Sequence, residues 1–180
     1  MIILLTESEF PIRGPLPKGL VLAEGGPVGL AISLRKSVQP FVETVVLRPR
    51  ILHLGIGCRR GTPKDNIEEL VIQELKKLKV TMSVVKGIAS IDVKKDEEGL
   101  LSFAEENAFP IRFYSAEELN AVEGDFTPSA FVAKTVGVDN VCERAAVLDS
   151  GGGKLLLRKT GRNGVTLAIA AEEYVVDFNE

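Results

Sequence analysis

The chain has few of the residues that build metal and redox centres. Among 180 residues there are two cysteines, Cys58 and Cys142, and a single histidine, His53. No CxxC pair occurs, so a Cys/His zinc site is not expected, and nothing in the spacing argues for a disulfide. A surplus of positive charge is lacking as well. The formal net charge is −3 and the pI about 5.4, which argues against a broad basic surface for nucleic acid. Any anionic ligand must then meet a local cluster of Arg and Lys. Long apolar runs are also missing. Residues 1–6 are apolar but too short for a signal peptide or a membrane span, and no later run approaches bilayer length. A soluble, cytoplasmic chain without a membrane partner is expected.

Hydrophobic residues make up 45% and charged residues 26%, which suits one compact domain with an appended segment. The appended segment is the N-terminal one. Pro11, Pro15, Pro17, Pro27, Pro40 and Pro49 crowd residues 1–50 and disfavour long helices there. Short strands near 19–23 and 28–34, separated by loops, are expected. From Ile51 the pattern turns regular. Residues 51–56 read as a buried strand. Thr62-Pro63-Lys64-Asp65 reads as a helix start with Thr62 as N-cap, and Ile67, Leu70, Val71, Leu75 and Leu78 recur at helical spacing. A strand at 87–91, a helix near 97–107 and a strand at 110–114 follow. Ser115 and Glu118 form a capping box. Thr127-Pro128 opens a helix that Gly137 ends, and Asn140 with Glu143 opens another. Residues 154–160 and 165–171 make a hairpin through Asn163-Gly164. This alternation predicts an α/β fold, a three-layer α/β/α sandwich. Its sheet is mixed and mostly parallel, ends in a hairpin, and has 51–56, 87–91 and 110–114 as parallel neighbours.

Two segments carry potential chemistry. Gly55-Ile56-Gly57-Cys58-Arg59-Arg60-Gly61-Thr62-Pro63 joins a strand to a helix N-terminus. Backbone N–H groups, the helix dipole and two guanidinium groups there favour a carboxylate or phosphate. The competing reading is a tight turn with two solvated arginines. A Walker lysine and the third glycine of a dinucleotide loop are both missing, which weakens a nucleotide module. The second segment, residues 90–100, also follows a strand and should face the same edge. Asp92, Asp96 and Glu97 are candidate acid/base groups and Lys94 a candidate carboxylate or oxyanion partner. The competing reading is a charged loop opening a helix. Glu143 is explained by a capping box with Asn140, Cys58 by packing, and His53 by burial with hydrogen bonds.

In these segments the sequence resembles the C-terminal domain of the cobalamin biosynthesis protein G (CbiG) family. The resemblance rests on Gly55–Thr62 as a signature loop and on Ser90, Ile91, Asp92, Lys94, Asp96, Glu97, Gly99 and Leu100 as a second block. Gly137-Val138, Val141, Glu143 and Ala145-Ala146 match a third block, and Lys159 with residues 165–170 a closing hairpin. Residues 47–180 then correspond to the family's C-terminal domain, and residues 1–46 to its central linker region. The resemblance implies a role in cobalamin biosynthesis. Full-length members resemble a cobalt-precorrin-5A hydrolase that opens a δ-lactone and releases acetaldehyde. A stand-alone relative, CobE, implies the alternative of a non-catalytic corrinoid binder or carrier. The ligand implied is a precorrin whose cobalt, when present, belongs to the substrate, with no resident metal or cofactor. A separately encoded N-terminal domain, pathway methyltransferases or a second copy are the protein partners implied. The roles implied are Asp92 or Glu97 as base, with Gly55, Gly57, Cys58, Arg59, Arg60, Gly61, Thr62 and Lys94 holding the substrate. The N–H groups of the glycine loop are the expected oxyanion donors.

Overall fold

The computed structural model describes residues 2–6, 10–128, 134 and 136–179. The chain folds into two compact units. One comprises Met1–Arg50, Lys76–Val84 and Tyr174–Glu180, and the other Ile51–Leu75 and Val85–Glu173.

The first unit contains β1 (Ile2–Thr6), β2 (Ile12–Arg13), β3 (Leu20–Leu22), β4 (Gly26–Ile32) and β5 (Phe41–Leu47). Its main sheet is all parallel in the order β3-β1-β4-β5. No helix occurs within residues 10–50, in keeping with the proline density. Pro27 sits at the start of β4 and Pro40 just before β5, where a missing N–H interrupts no ladder interior. Phe10 and Tyr174 meet edge to face at 5.2 Å.

The second unit runs β6 (Leu52–Cys58), α1 (Lys64–Lys77), β7 (Val85–Ile91), α2 (Glu98–Glu106), β8 (Ile111–Tyr114), α3 (Ala116–Asn120), α4 (Val141–Asp149), β9 (Lys154–Arg162) and β10 (Val165–Ala171). After it the chain returns to the first unit, where a short β11 (Val176–Asp177) pairs with β2. The five-stranded sheet has the order β8-β7-β6-β10-β9. β6, β7 and β8 are parallel, as the βα alternation predicts. β10 runs antiparallel to both β6 and β9, so it alone opposes the other four strands. The Asn163-Gly164 turn closes this hairpin with both residues at positive φ, +50° and +80°. That is the type I′ geometry that matches strand twist.

Both faces of β6 are covered. Leu52, Leu54 and Ile56 are fully buried on one face. α1 brings the buried stripe Ile67, Leu70, Val71 and Leu75 to that layer, and α2 brings Leu100, Phe103 and Ala104. The opposite face meets α4. A Cβ on Gly55 would overlap the Cys142 carbonyl and approach the Ala146 nitrogen, so only glycine lets the helix lie this close. The partners on this face are correspondingly small: Cys142, Ala146, Ala168 and Ala170. Ala89, Ile91, Leu119, Val138, Val141 and Ala145 continue the core beneath α3.

Several helix starts differ in detail from the sequence pattern. The Ser115–Glu118 box is present at α3. The Thr62 hydroxyl turns back to donate to the Arg59 carbonyl at 2.7 Å. Asn140 caps α4 by accepting from Glu143 N–H at 2.9 Å, but the Glu143 carboxylate does not complete a box. It reaches Thr127 and Lys159 instead. The helix expected from Thr127-Pro128 to Gly137 falls largely outside the described residues. Among the described residues no helix is long and apolar enough to cross a membrane.

At the edge where β6 begins, His53 is buried between two carboxylates. Its Nδ1 lies 2.6 Å from Asp149 Oδ2 and its Nε2 3.1 Å from Glu172 Oε2. Tyr114 Oη and Arg112 donate to Asp149 Oδ1 at 2.8 and 3.2 Å. Lys86 pairs with Glu172 at 2.8 Å. The histidine is buried and hydrogen-bonded, as its apolar strand suggests.

Candidate functional site

β6 and β7 are parallel, so the segments that follow them emerge at one edge of the sheet, where open α/β sheets gather ligands. They meet there. Glu97 Oε2 accepts the Gly61 N–H at 3.0 Å, and its Oε1 lies 3.1 Å from Arg60 Nε and 3.4 Å from Lys94 Nζ. Arg60 also donates to Asp96 Oδ1 at 2.8 Å. That hydrogen bond, ahead of the charge attraction, holds the Asp96 carboxyl below its ordinary value. Asp92 begins a 3-10 turn, Asp92–Lys94, and is exposed.

The hairpin supplies the other wall. Arg59 N–H donates to the Gly164 carbonyl at 2.8 Å, and Val165 and Thr166 pair with Cys58 and Gly57. Between these elements lies a cavity of about 820 Å³. Its apolar surface comes from Ile91, Val93, Val136, Val141 and Val165, and its cations are Arg59, Arg60, Lys94, Lys159 and Arg162. Among the described residues, no carboxylate lines it. The volume falls within the range of small-molecule sites.

The expected site residues do not all fall in one place. Gly57, Cys58, Arg59, Arg60 and Lys94 line the cavity. Gly55 lies beneath α4. Gly61, Thr62 and Glu97 line a second, smaller cavity of about 480 Å³ on the far side of the loop, with Asp96 and Glu98. Neither Asp92 nor Glu97 lines the large cavity. The loop N–H groups of Arg59, Gly61 and Thr62 already donate within the protein, to Gly164 O, Glu97 Oε2 and Arg59 O. The sequence placed Lys159 in the closing hairpin but assigned neither it, nor Arg162, nor the hairpin to the site. The signal available was the Asn163-Gly164 turn, which places Arg162 and Val165 beside each other at a strand end.

The thiols are quiet. Burial raises the Cys58 pKa, and Lys94 and Arg60 oppose this only in part. Burial pushes Cys142 up to about 12. Both stay protonated near neutral pH, so neither is a ready nucleophile or metal ligand. Among the described residues no group of three His, Cys, Asp or Glu side chains is arranged to hold a metal ion.

The fold and the cavity define a mixed α/β domain with a cation-lined cavity at the carboxyl edge of its sheet. Residues 52–170 match the family model described as "Cobalamin synthesis G C-terminus", and the chain belongs to that family. It is 39% identical over 142 residues to a cobalt-precorrin-5A hydrolase from Priestia megaterium, covering 78% of this chain and 38% of that protein. Over 101 residues it is 33% identical to protein CobE from Sinorhizobium, covering 56% of this chain and 66% of that protein. A crystal structure of CobE superposes with a TM-score of 0.63 at 32% identity, over 68% of this chain and 91% of CobE. A cobalamin biosynthesis protein G homologue from Sulfolobus solfataricus superposes at 0.57 and 26% identity, over 96% of this chain and 51% of that one. The chain spans about 40% of the length of the cobalt-precorrin-5A hydrolases from Priestia megaterium and Salmonella typhimurium.

Proposed function

We propose that this chain binds a carboxylate-bearing corrin precursor in the large cavity, as the substrate-holding part of a cobalt-precorrin-5A hydrolase. The observation that carries the reading is the pairing of cations with an apolar wall. Among the described residues, five cationic side chains and no carboxylate line a space with an aliphatic wall. A corrin precursor has the matching form: an apolar macrocycle rimmed by acetate and propionate groups. Guanidinium and ammonium groups meet carboxylates through charge-assisted hydrogen bonds, and the aliphatic wall desolvates the ring. An acidic chain can do this because its cations are gathered at one place. Cobalt, when present, would enter as part of the substrate.

In this proposal the chain binds and orients, and the bond-breaking step draws on a further region. Lactone hydrolysis needs a base and a stabilised oxyanion. Of the two expected bases, Asp92 is exposed, and Glu97 is 3% exposed and engaged by three donors. We assign Glu97 to holding the loop and expect the water-activating group in the part of the hydrolases that this chain does not match. Residues 1–46 are proposed as the equivalent of the family's central region. Their superposition on the Sulfolobus protein, together with CobE matching only 68% of the chain, supports that boundary.

The test is a titration followed by corrinoid absorbance, with cobyrinic acid as the carboxylated probe. Arg59→Ala should weaken binding, more at low salt than at high salt, because exposed charge attraction is screened over about 8 Å at physiological ionic strength. Unchanged affinity at both salt concentrations would remove Arg59 from the site.

A further inference from the structure

Building on the reading of the cavity as a carboxylate site, we infer that Lys159 fixes one ligand carboxylate and that the buried Glu143 is the residue that positions it. The first support is a β-bulge. Thr160 pairs with Leu167, and the next pair is Leu157 with Ile169, so β9 advances by one residue more than β10 opposite Ala168. Lys159 lies in this extra length. A bulge frees a backbone group from the ladder and re-aims the side chain beside it, and bulges concentrate next to active sites. The Lys159 N–H goes to Glu143 Oε1 at 2.7 Å.

The second support is the state of the cations. Arg60, Lys94 and Arg162 each have a carboxylate partner at 3.4 Å or less. Lys159 lines the cavity, and among the described residues no carboxylate lies within ion-pair distance of it. Its ammonium is therefore available to a ligand without first breaking an internal pair.

The third support is the chemistry of Glu143. The residue is fully buried, yet it carries a carboxylate that accepts three donors: Thr127 N–H at 2.9 Å, Thr127 Oγ1–H at 2.8 Å and Lys159 N–H at 2.7 Å. Asn140 completes the arrangement by donating to the Thr127 carbonyl at 2.8 Å. Burial alone would raise the carboxyl pKa, but these donors, with Arg158 nearby, lower it, so the group is ionised at neutral pH. A glutamine is a poor substitute, because its NH2 meets a donor whichever way it turns: Thr127 N–H at the Oε2 position, or Lys159 N–H and Thr127 Oγ1–H at the Oε1 position. Val141 and Cys142, in the same first turn of α4, form cavity wall. One carboxylate thus ties that wall to the bulge that presents Lys159.

The experiment measures the affinity of the full chain for cobyrinic acid, with a thermal melt of each variant. The variants are Lys159→Ala, Glu143→Gln, Glu143→Asp, Arg59→Ala and the double Lys159→Ala/Glu143→Gln. Lys159→Ala should weaken binding by roughly tenfold or more, the scale of one charge-assisted hydrogen bond. Glu143→Gln should weaken it comparably, and the double variant no further than Lys159→Ala alone, because Glu143 acts through Lys159. Should Glu143→Gln fail to fold, Glu143→Asp keeps the charge but withdraws it from the Lys159 N–H and gives the same readout. Wild-type affinity in Lys159→Ala alongside weakened binding in Arg59→Ala would overturn the inference and leave the cavity reading standing. No binding by the unmodified chain would overturn both. Additive losses, or a lower melting temperature with unchanged affinity in the Glu143 variants, would overturn the positioning role.

Discussion

Asp149 is a side chain whose removal should damage the domain without touching the cavity. Its Oδ2 takes the His53 Nδ1 contact, and its Oδ1 takes Tyr114 Oη and Arg112. Asp149→Ala deletes the two buried charge-assisted bonds, to His53 and Tyr114, at about 1.5–3 kcal/mol each. Arg112 is largely exposed and adds less than about 1 kcal/mol. The expected loss is about 3–5 kcal/mol, the range for breaking a buried charged pair. Asp149→Asn should cost less, about 1–3 kcal/mol, because the amide oxygen still accepts from Tyr114 and His53 can present a bare Nδ1 to the amide N–H while Nε2–H faces Glu172. Acid provides a second signature. Burial by itself raises the Asp149 carboxyl pKa, but hydrogen bonds from His53 and Tyr114 and the charges of His53 and Arg112 leave it lowered in the folded chain. A lowered folded-state value means the stabilisation is complete above the unfolded value, about 3.9, and is lost as pH falls through the folded one. The stability gap between wild type and Asp149→Asn should therefore narrow below about pH 4. Urea unfolding of both variants, at pH 7 and in steps into acid, measures this. A loss under about 1 kcal/mol for Asp149→Ala, or a gap that does not change in acid, would refute the reasoning.

Gly55→Ala should destabilise by about 3 kcal/mol or more, because the added Cβ meets backbone atoms of α4 that cannot rotate away; a thermal melt within a degree or two of wild type would contradict this. Gly164→Ala places a Cβ at φ +80° and should cost about 1–2 kcal/mol by urea unfolding, with the hairpin register retained. Glu97→Gln should lower stability by about 1–3 kcal/mol, because it removes the charge facing Arg60 and Lys94 and one of the two acceptor oxygens that serve them and Gly61 N–H, while acetaldehyde release by a reconstituted hydrolase survives. Collapse of turnover at intact stability would instead make Glu97 the base.

The parallel core was legible because its signals are local. The strand runs at 51–56, 87–91 and 110–114 and the intervening helical stripe specify βα units, and the crossover rule makes such strands parallel. The Asn163-Gly164 turn and the Ser115–Glu118 box are likewise written within four residues. That one sheet edge holds both loops followed from strand direction alone. The hairpin wall was not legible, since Thr166 reaches Gly57 across 109 positions and no local pattern encodes that pairing. Nor was the choice among Asp92, Asp96 and Glu97. All three are polar and close enough in sequence to look equivalent, and only the fold turns Glu97 inward to Gly61. Glu143 shows a local rule half kept. Asn140 caps as its spacing suggests, but the carboxylate answers donors 16 residues away on either side. The partners of His53, 96 and 119 positions off, were beyond any local reading.

The most direct measurement compares two corrinoids that differ in charge. Cobyrinic acid presents free carboxylates around the ring, and cobinamide presents the same ring with those groups as amides. Equilibrium titration of the full chain with each, at low and at physiological salt, should give binding of cobyrinic acid that weakens as salt rises and much weaker binding of cobinamide. Equal affinity for the two, or no binding of cobyrinic acid at either salt, would contradict a cationic corrinoid site in the cavity.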